Sequence, residues 1–494
     1  MSYFIGADLG TSSLKLMLMN GEGKCIKTVS EQYPIFYPKS GWSEQNPEDW
    51  WNAFMAGIKK LIEDVPACEI KGIGVGGQMH GLVVLDKDDN PIRPAILWND
   101  GRTQKETDYL NNIIGKEKLS EYTANIAFAG FTAPKILWLK ENEPENFAAI
   151  DKIMLPKDYI NYKLTGVHCT DFSDASGMLL LDVKNKCWSE EMIDICGIKE
   201  NLLPKLFESY EAVGKVKDDI AKQLGLLGET VVAAGAGDNA AAAIGTATVG
   251  NGKCNISLGT SGTIFVSSDK FSLDKNNALH SFCHSDGKYH LMGCILSAAS
   301  CNKWFCEDLL GCNDYKALEN AVGEDLLGHN EVFFLPYLMG ERSPINDTNA
   351  TGVFIGIRPD TSREQMQLAV LEGVAFAIRD NIEVVRKLNL QINESCLCGG
   401  GGKSELWQKI MANVLNIKLN IPMLEEGPAY GGAILAMVAT GEYESVNACM
   451  DKFFEIKNTI EPDEALVALY ENRYQKFKKI YPSIKQLYKE IKEN

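Results

Sequence analysis

The sequence predicts an α/β fold built from two related half-chains. Strand-like segments mix with helical segments of roughly 10–15 residues along the whole chain, the pattern of α/β architecture. The tetrapeptide Leu-Gly-Thr-Ser stands at 9–12 and again at 258–261, each time in a turn between two apolar strands near the start of one half. With 494 residues, 45% of them hydrophobic and 23% charged, the chain has material for two to four domains with real cores. The same balance excludes disordered, collagen-like and coiled-coil classes.

Taken in order, Tyr3–Ala7 reads as a strand, Asp8–Ser13 as a tight turn and Leu14–Met19 as a second strand. The N-terminus, Met1 to Gly6, lacks the basic and long apolar segments expected of a secretion signal. Asn46-Pro47 predicts a helix start, because asparagine caps and proline suits the first helical position; Trp51, Phe54, Ile58, Leu61 and Ile62 then share one face. Ile70–Val75 is expected to be a buried strand leading into Gly76-Gly77-Gln78-Met79-His80-Gly81. A formal G-x-G-x-x-G at Gly72, Gly74 and Gly77 sits inside that strand instead of after it, so a dinucleotide fingerprint is rejected. The Ala- and Gly-rich run Val231–Gly250 carries Asp238 and Asn239 and is too polar to span a bilayer. A boundary near 245–250 divides the chain into 1–247 and 248–494. Cys254–Leu258 and Thr263–Val266 then repeat the opening strand pair, and from Glu464 a closing amphipathic helix is expected.

A net charge of −17 repels nucleic acid and anionic membrane, so neither is an expected partner. A small anion can bind only where backbone N–H groups or local cations are arranged for it. The fourteen cysteines include no C-x-x-C pair, and a chain this long needs no disulfide staples; reduced thiols and a cytoplasmic location are expected.

Chemistry concentrates in a few places. Thr11 and Ser12 in the first turn, and Gly259 and Thr260 in the second, present N–H groups and hydroxyls on one concave side, a cradle for phosphate. Two such turns from opposite halves can hold the phosphate tail of a nucleotide, with Asp8 holding Mg²⁺ through water. Either turn alone reads better as an ordinary hairpin bend, and it is the two together that favour phosphate binding. Gly399–Ser404 fails as a P-loop because Leu397 stands where glycine is required; as a strand-to-helix turn it lets a flat ring such as adenine approach the backbone. Asp238 fits two roles, helix N-cap and general base for a sugar hydroxyl, and these are compatible. Gln78, Met79 and His80 gather polar and soft groups after a glycine-loosened strand, and Trp98 through Arg102 suits a polyhydroxylated ligand. His280, Cys283, His284 and His290 alternate like strand residues and are assigned no metal.

Two stretches, Gly130–Asn142 and Gly352–Ile357 running on to Gln365, Met366 and Glu372, resemble signatures of the FGGY family of carbohydrate kinases. Gly77–Gly81, Ile96–Arg102 and Pro336–Pro344 resemble its D-xylulose-phosphorylating branch in particular. The resemblance is collinear over nearly the whole chain. It implies a duplicated ribonuclease-H-like fold of the actin type with the site in an interdomain cleft, ATP as co-substrate, Mg²⁺ as cofactor, and phosphorylation of D-xylulose at O5. It further implies Asp238 as catalytic base with Asn239 beside it, Asp8 as the metal-associated aspartate, and Met79 and His80 as sugar contacts. Thr11 and Thr260 fall in the phosphate turns, and Gly400, Gly401 and Ser404 in the adenosine segment, where Gly402 replaces a common alanine. The alternatives are a kinase for another ketopentose or polyol (ribulose, L-xylulose, gluconate, glycerol) and a nucleotide-switched binding protein of the same fold. A homodimer is left open.

Overall fold

Apolar residues crowd the first twenty positions, and the chain folds there into a meander of β1 (Tyr3–Leu9), β2 (Ser13–Asn20) and β3 (Cys25–Gln32). The computed structural model describes residues 2–226, 229–423 and 427–492. Helix α1 (Pro47–Leu61) begins where Asn46 and Pro47 predict it, the Asn46 side chain accepting from the Glu48 N–H at 3.2 Å. It buries Trp50, Phe54, Ile58 and Leu61 against the sheet. Strand β4 (Ile70–Gly77) lies parallel to β1. Helices α2 (Thr132–Asn142) and α3 (Pro156–Thr165) follow, then β5 (Ala212–Lys215), β6 (Val231–Ala233) and the short β7 (Ala236–Gly237), which leads directly into α4 (Asp238–Gly245). The first sheet has the order β5-β6-β4-β1-β2-β3, with β7 beside β4.

A second sheet repeats the plan. Its strands are β8 (Cys254–Leu258), β9 (Gly262–Ser268), β10 (His280–Cys283), β11 (Tyr289–Ile295), β12 (Glu394–Cys398), β13 (Lys418–Pro422) and β14 (Ile456–Ile460), in the order β10-β11-β9-β8-β12-β13-β14. In both sheets a three-strand antiparallel meander continues into two parallel strands: β3-β2-β1 into β4 and β6, and β11-β9-β8 into β12 and β13. This shared order supports the duplicated α/β fold expected from the repeated tetrapeptide. His280 and Cys283 lie on β10 and His290 on β11, the strand positions their alternation predicts.

The long helices of the second half are α5 (Arg363–Lys387), α6 (Glu405–Leu415), α7 (Pro428–Ala439), α8 (Glu464–Phe477) and α9 (Ile480–Lys492). The closing segment is thus two helices instead of the single one expected, broken at Lys478–Lys479; residues 493–494 lie outside the described residues. Arg473 of α8 pairs with the buried Glu372 of α5 at 2.5 Å, fastening the end of the chain to its longest helix. Among the described residues, no helix is long and apolar enough to cross a membrane.

Helix α7 departs from a simple two-lobe picture. It comes from the second half yet packs on β1 and β4 of the first sheet, backbone against backbone. A Cβ at Gly6 would stand 1.7 Å from the Ala429 carbonyl oxygen, and one at Gly74 would stand 2.1 Å from that of Gly432. The glycines that produce the formal dinucleotide motif therefore serve helix–sheet contact. One core results, joining Phe4, Met17, Ala240 and Ile244 of the first half to Ala433, Ile434 and Met437 of α7. Gly74→Val is expected to destabilise the protein by about 3 kcal/mol or more, because the backbone of α7 must move to admit it; an unchanged melting curve would contradict this packing.

Candidate active site

The site grows from strand ends. Asp8 on β1 stands opposite Gly76 on β4, and Gly76 stands opposite Ala236 on β7. Three adjacent strand ends thereby bring Asp8 and the start of α4 to the same edge of the sheet. Asp238 is the first residue of α4, and the N-cap position belongs to Gly237. This corrects the capping role considered from sequence: the Asp238 carboxylate accepts from its neighbour Asn239 through the backbone N–H at 2.7 Å and through Nδ2 at 3.0 Å. Burial pushes the Asp238 carboxyl up to about 7; the nearby Asp8 carboxylate adds to the shift and the Asn239 N–H opposes it. Burial likewise pushes Asp8 up to about 6 against the pull of Lys15. The peptide before the base is held from behind: the Gly237 N–H donates to Ser173 Oγ at 3.1 Å, and Ser173 donates to Asp171, which pairs with the fully buried Lys157 at 2.9 Å.

The first turn is tied down by its carbonyls. Tyr33 donates its hydroxyl to the Gly10 carbonyl, and Gln45 Nε2 donates to that of Thr11 at 2.7 Å. With these oxygens turned inward, the N–H side of Thr11 and of the exposed Ser12 is presented to an anion. Gln45 also accepts from Gln78 Nε2 at 3.0 Å and Trp50 Nε1 at 3.2 Å. Gln78 is therefore a support of the turn, and its Oε1 is the atom left buried without a hydrogen-bond partner among the described residues.

Met79 places its sulfur 3.9 Å from Asn239 Nδ2. His80 is held in the left-handed region, at φ 70°, a costly backbone for a non-glycine residue and a mark of functional sites. Its carbonyl accepts from Lys135 Nζ at 2.7 Å and Thr132 Oγ1 at 3.1 Å, both on α2. The ring stacks on Phe131 with centroids 4.6 Å apart, and Nδ1 lies 2.7 Å from the Gly177 carbonyl. Because a carbonyl only accepts, Nδ1 carries the proton and Nε2 is an acceptor. Burial pulls the imidazole down to about 3, so it stays neutral. Trp98 is 46% exposed and donates Nε1 to Thr11 Oγ1 at 3.0 Å, linking the aromatic loop to the first turn. Arg102, placed on the sugar side by sequence, is instead consumed by Asp100 and Glu44, both at 2.7 Å, over the face of Trp42.

The second half mirrors this arrangement. Ser257 on β8 is opposite Cys398 on β12, so the second turn and the glycine-rich segment share an edge. The Gly259 and Thr260 carbonyls accept from the Ala299 and Ala298 N–H groups, both at 2.9 Å. Gly399 turns at φ 86°, with the Leu258 backbone only 2.7 Å from where a Cβ would lie; only glycine fits. A cavity of about 630 Å³ is lined by Thr260, Asn302, Tyr315, Gly400, Gly401 and Ser404. Ser404 caps α6 through the Trp407 N–H at 3.1 Å and donates to Glu319 at 2.7 Å, so its hydroxyl shapes the cavity wall. A Cβ at Gly402 would meet only Leu397 at 3.5 Å, and alanine would fit there too. A smaller space of about 300 Å³ between α4 and the second sheet, lined by Asn239, Ser257 and Gly399 among others, connects the two halves of the site.

The structure thus gathers Asp8, Thr11, Gln78, Met79, Asp238 and Asn239 in the first half and Thr260, Gly400, Gly401 and Ser404 in the second. Sequence reasoning missed Gln45, Tyr33, Thr132 and Lys135, which hold the turn and the His80 carbonyl; only their place in Gly130–Asn142 marked the last two. Models of the N-terminal and C-terminal domains of the FGGY family of carbohydrate kinases match residues 3–245 and 254–440. The chain is 38% identical over 483 residues to a xylulose kinase of Escherichia coli (strain K12), covering 97% of this chain and 99% of the relative. A "xyloylose kinase" structure from Brucella ovis superposes with TM-score 0.93 at 38% identity, over 98% of this chain and 100% of that one. A gluconate kinase structure from Lactobacillus acidophilus superposes with TM-score 0.93 at 26% identity, over 99% of each chain.

Proposed function

The chain belongs to the FGGY family of carbohydrate kinases, and from that premise we propose that this ATP-dependent enzyme phosphorylates D-xylulose at O5. The observation that carries the chemistry is Asp238: a carboxyl raised to about 7 at the start of α4, hydrogen-bonded to Asn239, which itself meets Met79 and lines the space between the halves. A base with that affinity is matched to take a hydroxyl proton near neutral pH. The near full-length likeness to xylulose kinases supports the choice of sugar. In the same reading the two halves meet at 247/248.

In the reaction, the O5 hydroxyl attacks the γ-phosphorus as Asp238 accepts its proton, and the bond from that phosphorus to the bridging oxygen breaks to release ADP. The turns at Thr11 and Ser12 and at Gly259 and Thr260 hold phosphate oxygens with N–H groups, and Gly400 and Gly401 flank the adenosine. Asp8 fits a magnesium ion: it is a carboxylate at the rim of a phosphate turn with no cation within 4.0 Å among the described residues. Magnesium takes few protein ligands and completes its shell with water and phosphate. When bound, it neutralises charge on the phosphate oxygens. Met79, His80 and Trp98 orient the sugar, the neutral His80 offering Nε2 as an acceptor, and closure of the halves excludes water as a competing acceptor.

Asp238→Asn is expected to retain ATP and D-xylulose binding while kcat falls by about 10²–10⁴; near-normal turnover in a coupled ADP-release assay would remove the base. Only the carboxylate form accepts a proton, so kcat/KM is expected to fall about tenfold per unit as pH drops below about 7 and to level off above it. Nothing lies within 4 Å of a Cβ built on Gly400. Gly400→Leu is therefore expected to raise the KM for ATP roughly tenfold or more with an unchanged melting temperature; an unaltered KM would move the nucleotide out of this cavity.

A further inference from the structure

One arginine stands apart. The other seven arginines of the sequence each have a carboxylate oxygen within 4.0 Å. Arg342 has none among the described residues, although it is only half exposed and the chain carries a net charge of −17. The Glu341 carboxylate feels the Arg342 charge but lies beyond 4.0 Å, so a partly buried guanidinium keeps its N–H donors off any carboxylate in an acidic protein.

Its position is fixed by the fold. The Glu341 carboxylate accepts from the Arg342 N–H at 2.8 Å and from the Leu296 N–H at 2.9 Å, just past β11. The Ser343 N–H donates to the Cys294 carbonyl at 2.9 Å, and the Ser343 carbonyl accepts from Asn381 on α5 at 3.2 Å. The backbone is thus pinned on both sides of Arg342 while its side chain reaches toward the first half. There the guanidinium lies 5.5 Å from the Phe128 ring. Phe128 is 5.4 Å from Phe131, on which His80 stacks, and 5.2 Å from His280. The positive charge of Arg342 helps hold both imidazoles neutral. The groups acting on Asp238 are Asp8 and Asn239 instead. Arg342 therefore belongs to the His80 end of the pocket, away from the hydroxyl that receives the phosphoryl group.

We infer that Arg342 is a specificity-determining residue of the second half that donates hydrogen bonds to the ketone oxygen and 1-hydroxyl of the bound ketose, the end remote from O5. The inference rests on the ketopentose reading above, with His80 at the sugar. Two N–H groups on one rigid plane suit adjacent carbonyl and hydroxyl oxygens, and a lysine offers no such fork. Because Arg342 comes from the half opposite Asp238, a sugar held by both bridges the cleft, and binding of the correct sugar favours closure.

The experiment compares wild type, Arg342→Gln and Arg342→Lys with D-xylulose and with 1-deoxy-D-xylulose, at saturating ATP and with ATP varied. The expected result is a rise of about tenfold or more in the KM for D-xylulose in Arg342→Gln, a KM for ATP and a melting temperature close to wild type, and only partial recovery in Arg342→Lys. Loss of the 1-hydroxyl should raise KM far more in wild type than in Arg342→Gln, since the variant has already lost the partner. A purely structural role would not produce that non-additivity. An unchanged KM for D-xylulose, or equal penalties for the missing hydroxyl in both proteins, overturns the inference. If Arg342→Gln fails to fold, the same comparison on Arg342→Lys decides. Wild-type turnover of D-xylulose tests the ketopentose reading separately. Should wild type instead prefer another sugar, the KM for that sugar must still rise in Arg342→Gln with that for ATP unmoved, and a constant value overturns the role of Arg342.

Discussion

The arrangement depends on one close contact, the approach of helix α7 to strands β1 and β4 through Gly6 and Gly74. No side chain intervenes, so the distance between helix and sheet is set by backbone atoms and tolerates little variation. Asp8 lies on β1 two residues beyond Gly6, and α4, which begins with Asp238, packs against α7 through Ala241 and Gly431. The carboxylates of the two halves of the mechanism are thus referenced to the same rigid assembly, although the helix that locks them comes from the far end of the sequence. The shared core around Ile244 and Ile434 joins this assembly to both halves of the chain.

Around that assembly the electrostatics follow from burial. Burial raises both Asp8 and Asp238, the Asp8 charge adds to the rise at Asp238, and neither has a cation at salt-bridge distance among the described residues, so protons are held more tightly than on an ordinary carboxylate. The surroundings of His80 are arranged with the opposite logic. His80 and His280 are buried and neutral, and the ammonium of Lys135 is spent on the carbonyls of His80 and Gly130 at 2.7 Å each. Hydrogen bonds of defined direction take the place of charge, which suits a polyhydroxylated ligand.

Much of the fold was legible because its signals are local. Alternating apolar residues around a Gly-Thr-Ser bend specify a hairpin in both halves, and Asn46-Pro47 specifies a helix start, wherever those segments end up in space. What escaped is tertiary. The role of Asp238 as a cap was a fair reading of its neighbours, yet extended backbone at Gly237 moves the boundary one residue earlier. The strained backbone of His80 exists only because Lys135 and Thr132, distant in sequence, seize its carbonyl. Arg102 looked available until Asp100, two residues away, and Glu44 claimed it. The break near Lys478 was signalled by Pro482 in the first turn of α9, a proline the single-helix expectation passed over.

The hydrogen bond from Trp98 to Thr11 has an implication for how the pocket communicates. The indole is exposed on its faces but tethered at its nitrogen to a hydroxyl of the first hairpin bend. Were one ligand to lie against the ring and another to take the Thr11 hydroxyl, as the proposed function requires, this one hydrogen bond would be shared between them and would link their affinities.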